Sequence, residues 1–230
     1  MKKVSIIVPI YNEKDTLLSI LEKIEQANFS GLEKEMILVD DASSDGTREI
    51  LNGLTEKYRV LFHEKNQGKG AAIRTALKEV SGDFVVIQDA DLEYLPDDYD
   101  KLLPLLINDE ADVVYGSRFA NPENSKKFIL KNKIANKFLT ILNNLLYGTQ
   151  ITDMETCYKA FKREYIQRIT IKSNRFDFEP EITAKMVKQK ARFKEVPISY
   201  NGRGHSEGKK INWKDGVQAI FTIIKYCFFD

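Results

Sequence analysis

Short apolar runs that alternate with helix-spaced stretches constrain this chain more than any other feature. Residues 4–10, 36–39, 58–62, 84–87 and 111–116 are each a few residues long, apolar in their middles and bounded by turn or charged residues. Such runs suit parallel strands covered on both faces. Between them, Leu17, Leu18, Leu21 and Ile24 recur at helical spacing, Ile50, Leu51 and Leu54 do the same, and residues 71–80 continue a third helix. Pro96 stands where a helix favours its first residue, and residues 102–107 extend that helix. Strands alternating with helices predict parallel pairing through right-handed crossovers. The expected fold is α/β, a doubly wound, mostly parallel sheet with helices on both faces. Residues 1–120 read as a nucleotide-binding half.

The second half changes character. Residues 126–147 predict a helix with Leu130, Ile134, Phe138, Leu142 and Leu145 along one side and five lysines near its start. Residues 151–161 run from polar to apolar and are placed near the site. A helix is expected over 177–186, a strand over 193–200 and an apolar-rich helix over 213–229, with a glycine-rich basic loop at 201–210. No linker separates the halves, so residues 1–230 read as one domain.

Composition excludes several classes. Lys and Arg total 35 against 34 Asp and Glu, a net charge of +1, which gives no field for nucleic acid. Cys157 and Cys227 have no metal-type spacing, and a reduced, cytoplasmic setting is expected. The first residues lack the apolar core and cleavage site of a signal peptide, and no apolar run approaches the ~20 residues of a membrane span. The glycines at 68 and 70 lack the third glycine of the dinucleotide fingerprint, and no P-loop exists. Lys69 is expected to open a helix, the alternative being an approach to the ligand. His63 and His205 stand alone and read as non-catalytic.

The chemistry concentrates at strand ends. The strand at 84–87 runs into Asp89, Asp91 and Glu93, whose alternation on an extended backbone would aim three carboxylates to one side. Open α/β sheets bind ligands at the carboxyl ends of their strands. Clustered carboxylates repel unless a cation sits among them, and oxygen-only ligands favour Mg²⁺ or Mn²⁺, which usually also holds substrate phosphates. Asp40 and Asp41 end another strand, where carboxylates can accept hydrogen bonds from a base or ribose. Residues 41–47 also suit a helix cap and turn.

Taken together, Val8-Pro-Ile-Tyr-Asn-Glu13, Val39-Asp-Asp-Ala-Ser-Ser-Asp-Gly-Thr47, Asn66-Gln-Gly-Lys-Gly-Ala-Ala72, Gln88-Asp-Ala-Asp-Leu92 and Gly116-Ser-Arg118 resemble family 2 glycosyltransferases of the GT-A fold. Thr152-Asp-Met-Glu-Thr-Cys-Tyr-Lys-Ala-Phe161 and Tyr200-Asn-Gly-Arg203 resemble the polyprenyl-phosphate branch, typified by dolichyl-phosphate mannose synthase. The resemblance implies an inverting, metal-dependent transfer of a hexose from GDP-mannose or a UDP-sugar to a polyprenyl or dolichyl phosphate. It places Pro9, Tyr11, Glu13, Val39 and Asp41 around the base and ribose, with Asp40 adjacent. It assigns Asp89 and Asp91 to the metal and diphosphate, with Ala90 against the nucleotide. Glu93 stands where the branch commonly has Gln and would add a third metal ligand. Arg118 and Arg203 match phosphate-binding arginines, for which a planar guanidinium is suited, and Lys209 belongs to the same basic loop. Asp153 occupies the position of the catalytic base, although a phosphate acceptor, already an anion, leaves it free to orient groups or anchor Arg203.

A lipid acceptor requires a route to the bilayer. The helices expected at 126–147 and 212–229 combine apolar stripes with lysines, as interfacial helices do. Peripheral attachment to the cytoplasmic face of a membrane is the expectation. The alternative use of the same stripes is a homodimer. Two competing functions are a same-fold transferase with a soluble or protein-linked acceptor and a non-catalytic nucleotide-sugar-binding module. The acidic tip and the two arginines argue against the latter.

Overall fold

The period of two in the apolar runs builds the molecule. In β1 (Lys3–Ile10), Val4, Ile6, Val8 and Ile10 face one side of the sheet while Ile7 faces the other. Met36 and Leu38 of β2 (Glu33–Asp40) face the first side, Ile37 and Val39 the second. β4 (Phe84–Ile87) divides in the same way, Phe84 and Val86 against Val85 and Ile87. A sheet apolar on both faces needs a helical layer on each. The computed structural model describes residues 1–126, 130–202 and 213–229 and shows those two layers.

One layer holds α1 (Leu17–Gln26) and α4 (Tyr99–Ile107), the latter preceded by a 3-10 turn that begins at Pro96. α1 buries Leu17, Ile20, Leu21 and Ile24, the i, i+3, i+4, i+7 face of an amphipathic helix. Leu51 of α2 (Thr47–Asn52) joins this core. The other layer holds α3 (Lys69–Leu77), α5 (Leu130–Tyr147), the short α6 (Arg163–Ile166), α7 (Phe178–Lys188) and α8 (Trp213–Phe228).

Among the described residues, seven strands form the sheet in the order β3-β2-β1-β4-β6-β5-β7, with β3 at Arg59–Phe62, β5 at Val113–Ser117, β6 at Lys159–Lys162 and β7 at Phe193–Pro197. The pairs β1·β2, β1·β4, β2·β3 and β5·β7 are parallel, while β6 runs antiparallel to β4 and β5. The doubly wound, mostly parallel expectation holds. β6 is the strand it missed, overlapping the end of the stretch 151–161. Four residues that begin and end in lysine carry little pattern, and the strand forms because both of its edges find partners. β7 stops at Pro197, three residues before the expected end. The chain winds outward from β1 through β2 to β3, then returns to place β4 on the opposite side of β1. That reversal opens a crevice at the carboxyl ends of β1 and β4.

Candidate active site

A cavity of about 460 Å³ fills that crevice, within the size range of ligand pockets. Pro9, Tyr11 and Glu13 come from the end of β1, Asp41 from the end of β2, Asn66, Gly68 and Lys69 from the start of α3, and Asp89, Ala90, Asp91, Glu93 and Tyr94 from beyond β4. Arg118, just past β5, closes the far side with Glu155, Cys157, Arg175, Phe176 and Tyr200. The chain leaves three of these strand ends through left-handed residues: Asn12 (φ 53°), Ala42 (φ 61°) and Leu92 (φ 63°). Each follows a pocket-lining residue, and backbone strain of this kind collects at functional sites.

Leu92 overturns one expectation. The backbone after Gln88 turns and does not run extended, so Asp89, Asp91 and Glu93 share the cavity without pointing together. Both oxygens of Asp89 meet the Lys69 ammonium, at 2.7 and 3.0 Å. Asp91 accepts the Glu93 amide at 3.0 Å, and the Glu93 carboxylate accepts the Tyr200 hydroxyl at 3.0 Å. Among the described residues no three carboxylate, His or Cys groups come close enough to hold a metal ion together. Burial works against a charge on Lys69, but Asp89 foremost, with Glu179, raises its pKa well above the usual value.

Asp41 plays a double part. It lines the cavity, yet its carboxylate also accepts the amides of Gln67 (2.9 Å) and Gly68 (2.7 Å) and meets His63 Nδ1 at 2.7 Å. His63 is thus a buried partner of Asp41, and its Nε2 meets Thr75 at 2.9 Å, so it does not stand alone as the sequence suggested. Gly68 sits at φ 98°, ψ 165°, a region essentially closed to other residues, and a Cβ there would lie 2.4 Å from the Asn174 carbonyl oxygen. The two glycines open a helix and admit the 173–174 backbone. Val39 and Asp40 do not line the cavity. Val39 is buried in β2, and the fully buried Asp40 side chain turns to the Ser43 amide (3.1 Å) and Arg48 (3.4 Å), because neighbours along a strand face opposite ways.

Asp153 is fully buried behind Arg118 and does not line the cavity. Its carboxylate accepts Arg118 Nε and Nη2, both at 2.7 Å, the Arg118 amide at 3.0 Å and the Asn136 side chain at 3.0 Å. Burial opposes ionisation of Asp153, but the Arg118 guanidinium holds its pKa below the usual carboxylate value. A carboxylate saturated in this way anchors an arginine; it does not collect a proton. The partner is Arg118. Arg203 and Lys209, like His205, lie outside the described residues. Arg118 also stacks 5.4 Å from the Tyr200 ring centroid and 6.0 Å from that of Tyr94.

The opposite arrangement holds two residues along. Glu155 lines the cavity, and burial, reinforced by the Glu179 carboxylate, pushes its pKa up to about 8. Sequence reading passed over Glu155, Tyr94, Cys157, Arg175 and Phe176. The usable signal for Glu155 was its place two residues beyond Asp153 in a segment already assigned to the site.

Residues 5–170 match the sequence pattern described as glycosyl transferase family 2. The chain belongs to glycosyl transferase family 2. The UDP-N-acetylglucosamine–dolichyl-phosphate N-acetylglucosaminyltransferase of Methanococcus voltae is 28% identical over 97% of this chain and 95% of its own length. The dolichol-phosphate mannosyltransferase of Pyrococcus furiosus is 30% identical over 97% of this chain, which spans 64% of that relative. Among solved structures, glucosyl-3-phosphoglycerate synthase from Mycobacterium tuberculosis, in complex with Mn²⁺, UDP and phosphoglyceric acid, superposes with a TM-score of 0.76. It is 19% identical, and the match covers 100% of this chain and 80% of that one. The same synthase in complex with Mg²⁺ and UDP gives a TM-score of 0.73 at 20% identity, over 98% of this chain and 79% of that one. The fold is GT-A, and within the family this glycosyltransferase resembles the polyprenyl-phosphate branch.

Proposed function

We propose that this glycosyltransferase moves a hexose unit from a nucleotide-sugar donor to a polyprenyl phosphate, with inversion at the anomeric carbon. The observation that carries the reading is the pocket itself. Acids from the ends of β2 and β4 line one side and Arg118 the other, in a chain that aligns over 97% of its length with two dolichyl-phosphate transferases. In this reading Tyr11 and Glu13, at the end of β1, and Asp41, at the end of β2, would line the nucleoside. Arg118, fixed by Asp153, presents a planar cation to phosphate.

The donor set fits a divalent cation in a limited sense. Asp89 and Asp91 offer hard oxygen donors, and Mg²⁺ or Mn²⁺ of this kind is held by one or two carboxylates plus substrate phosphates. Glu93 is engaged by Tyr200 and is not needed as a ligand. Asp89 and Asp91 would hold the ion, which supplies charge neutralisation for the departing diphosphate. Lys69, already on Asp89, brings a second positive charge to the same wall. Because a phosphate acceptor is itself a nucleophilic anion, alignment and charge control dominate over proton abstraction.

Two apolar stripes give the acceptor a route. On α5, Ile134, Phe138, Ile141 and Leu145 are exposed at i, i+4, i+7, i+11, and on α8, Val217, Phe221, Ile224 and Phe228 repeat that spacing. Leu142, which the sequence placed on the α5 stripe, packs against the core instead, as does Ile223 of α8. Both helices lie in one layer, joined where the Tyr147 hydroxyl donates to the Ile223 carbonyl at 2.6 Å. Lys133 and Lys137 accompany the α5 stripe. No described helix is long and apolar enough to cross a membrane, so the reading is an interfacial face lying on lipid.

The test is transfer from UDP-N-acetylglucosamine and from GDP-mannose to a short polyprenyl phosphate, with and without Mn²⁺. A lipid-linked sugar is expected from one donor. Asp91→Ala should lower its formation by a factor of 10² or more, on the order of 3 kcal/mol of lost charge stabilisation. No lipid product from any nucleotide sugar would sink the reading.

A further inference from the structure

The loop between α5 and β6 is held more tightly than a surface loop needs to be. Lys159 is fully buried, and its ammonium donates to the carbonyls of Met154 (3.0 Å) and Thr156 and pairs with Glu179 of α7. The Thr156 hydroxyl donates to the Gly116 carbonyl at 2.7 Å, and Asp153 is locked to Arg118 and Asn136. Asp153, Thr156 and Lys159 around Glu155 are thus fastened, while Glu155 itself lines the cavity. Its Oε1 is buried and meets no hydrogen-bond partner among the described residues. A buried polar atom without a partner costs stability, and here the surrounding clamps hold it in place. Such an arrangement is what a preorganised contact to a ligand requires.

The charges facing it identify the ligand class. Burial foremost, then Glu179 on α7, with Asp153 on its own loop, disfavours ionisation of Glu155; Lys159 on β6 and Arg118 after β5 favour it without offsetting them. Below about pH 8 the group is therefore a neutral acid. An acid of this kind beside an arginine can donate to an anion without adding repulsion, which a carboxylate cannot do.

We propose that the Glu155 carboxylic acid donates a hydrogen bond to the phosphate monoester of the acceptor, next to Arg118. This rests on the reading of the acceptor as a phosphate. Its consequence is a proton linkage. An arriving dianion favours the protonated acid, so above pH 8 binding draws a proton from solvent. Affinity falls as pH rises through about 8, where the donor form is lost.

The experiment is isothermal titration of the intact protein with farnesyl monophosphate at pH 8.5 in two buffers of different ionisation enthalpy, and separately with UDP. The unsubstituted protein should take up as much as about one proton per farnesyl phosphate bound. Glu155→Gln should bind without that uptake and without the loss of affinity between pH 7 and 9.5. Glu155→Ala should bind roughly tenfold more weakly at pH 7, with circular dichroism showing it folded. Uptake unchanged in Glu155→Gln, undiminished affinity in Glu155→Ala, uptake with UDP alone, or no farnesyl phosphate binding would each overturn the proposal. Transfer activity is not the readout: phosphate binding without sugar transfer would count against the proposed enzyme and leave the Glu155 contact standing.

Discussion

Asp153 and Glu155 sit two positions apart and have opposite fates. Asp153 is fully buried and saturated by Arg118 and Asn136; Glu155 has an oxygen with no described partner and faces the cavity. The difference decides what substitutions do. Asp153→Asn leaves a buried guanidinium without its counter-charge, a change that costs about 3–5 kcal/mol. At roughly 2–4 °C per kcal/mol for a chain of this size, differential scanning calorimetry should show a melting temperature lower by about ten degrees. An unchanged melting point would contradict the anchoring role. Either carboxyl could have been the reacting one on spacing alone. Which oxygen is occupied depends on Arg118, 35 residues away in sequence, and no local pattern encodes that.

At the scale of elements, the start of α3 shows why glycine stands at 68 and 70. A Cβ on Gly70 would come 2.5 Å from the Ser173 carbonyl oxygen, and Gly68 adds a φ of 98° to its own clash with Asn174. Gly68→Ala should therefore destabilise the fold by about 2–3 kcal/mol and loosen the Asp41 contacts to the 67–68 amides. Urea unfolding measures the first effect and UDP affinity the second. A variant as stable as the parent would remove the close-approach argument. The glycines were legible as a helix start, because that is a local property. The chain they make room for arrives from a hundred residues further on. The acidic tip taught a similar lesson. Its carboxylates were legible, but their convergence was not, since a left-handed Leu92 breaks the alternation that an extended backbone would give.

For the whole molecule, pocket and apolar face occupy different parts of one architecture. The sheet reversal makes the pocket, and the helical layer opposite α1 and α4 carries the stripes of α5 and α8. Removing an apolar anchor of phenylalanine size costs about 1.5–3 kcal/mol, so Phe138→Glu and Phe221→Glu should each weaken binding to anionic vesicles roughly tenfold or more. Co-flotation measures this, with UDP affinity as the control that the pocket is intact. Vesicle binding equal to the parent would move these stripes from membrane to a second copy of the chain, which analytical ultracentrifugation would reveal.

The sequence by itself determined the layering, the five strands within the first 120 residues, β7 with its end set three residues too far, and the set of acids at the strand ends. Those follow from periodicity and turn chemistry, which act over a few residues. Only the tertiary structure decided that β6 would enter antiparallel between β4 and β5, that Lys69 would take Asp89, and that Asp153 would hold Arg118 while Glu155 faced the pocket. Each of these is a pairing between distant segments. Buried charges choose partners by the geometry of the finished fold, where a missing counter-charge is far more costly than in water.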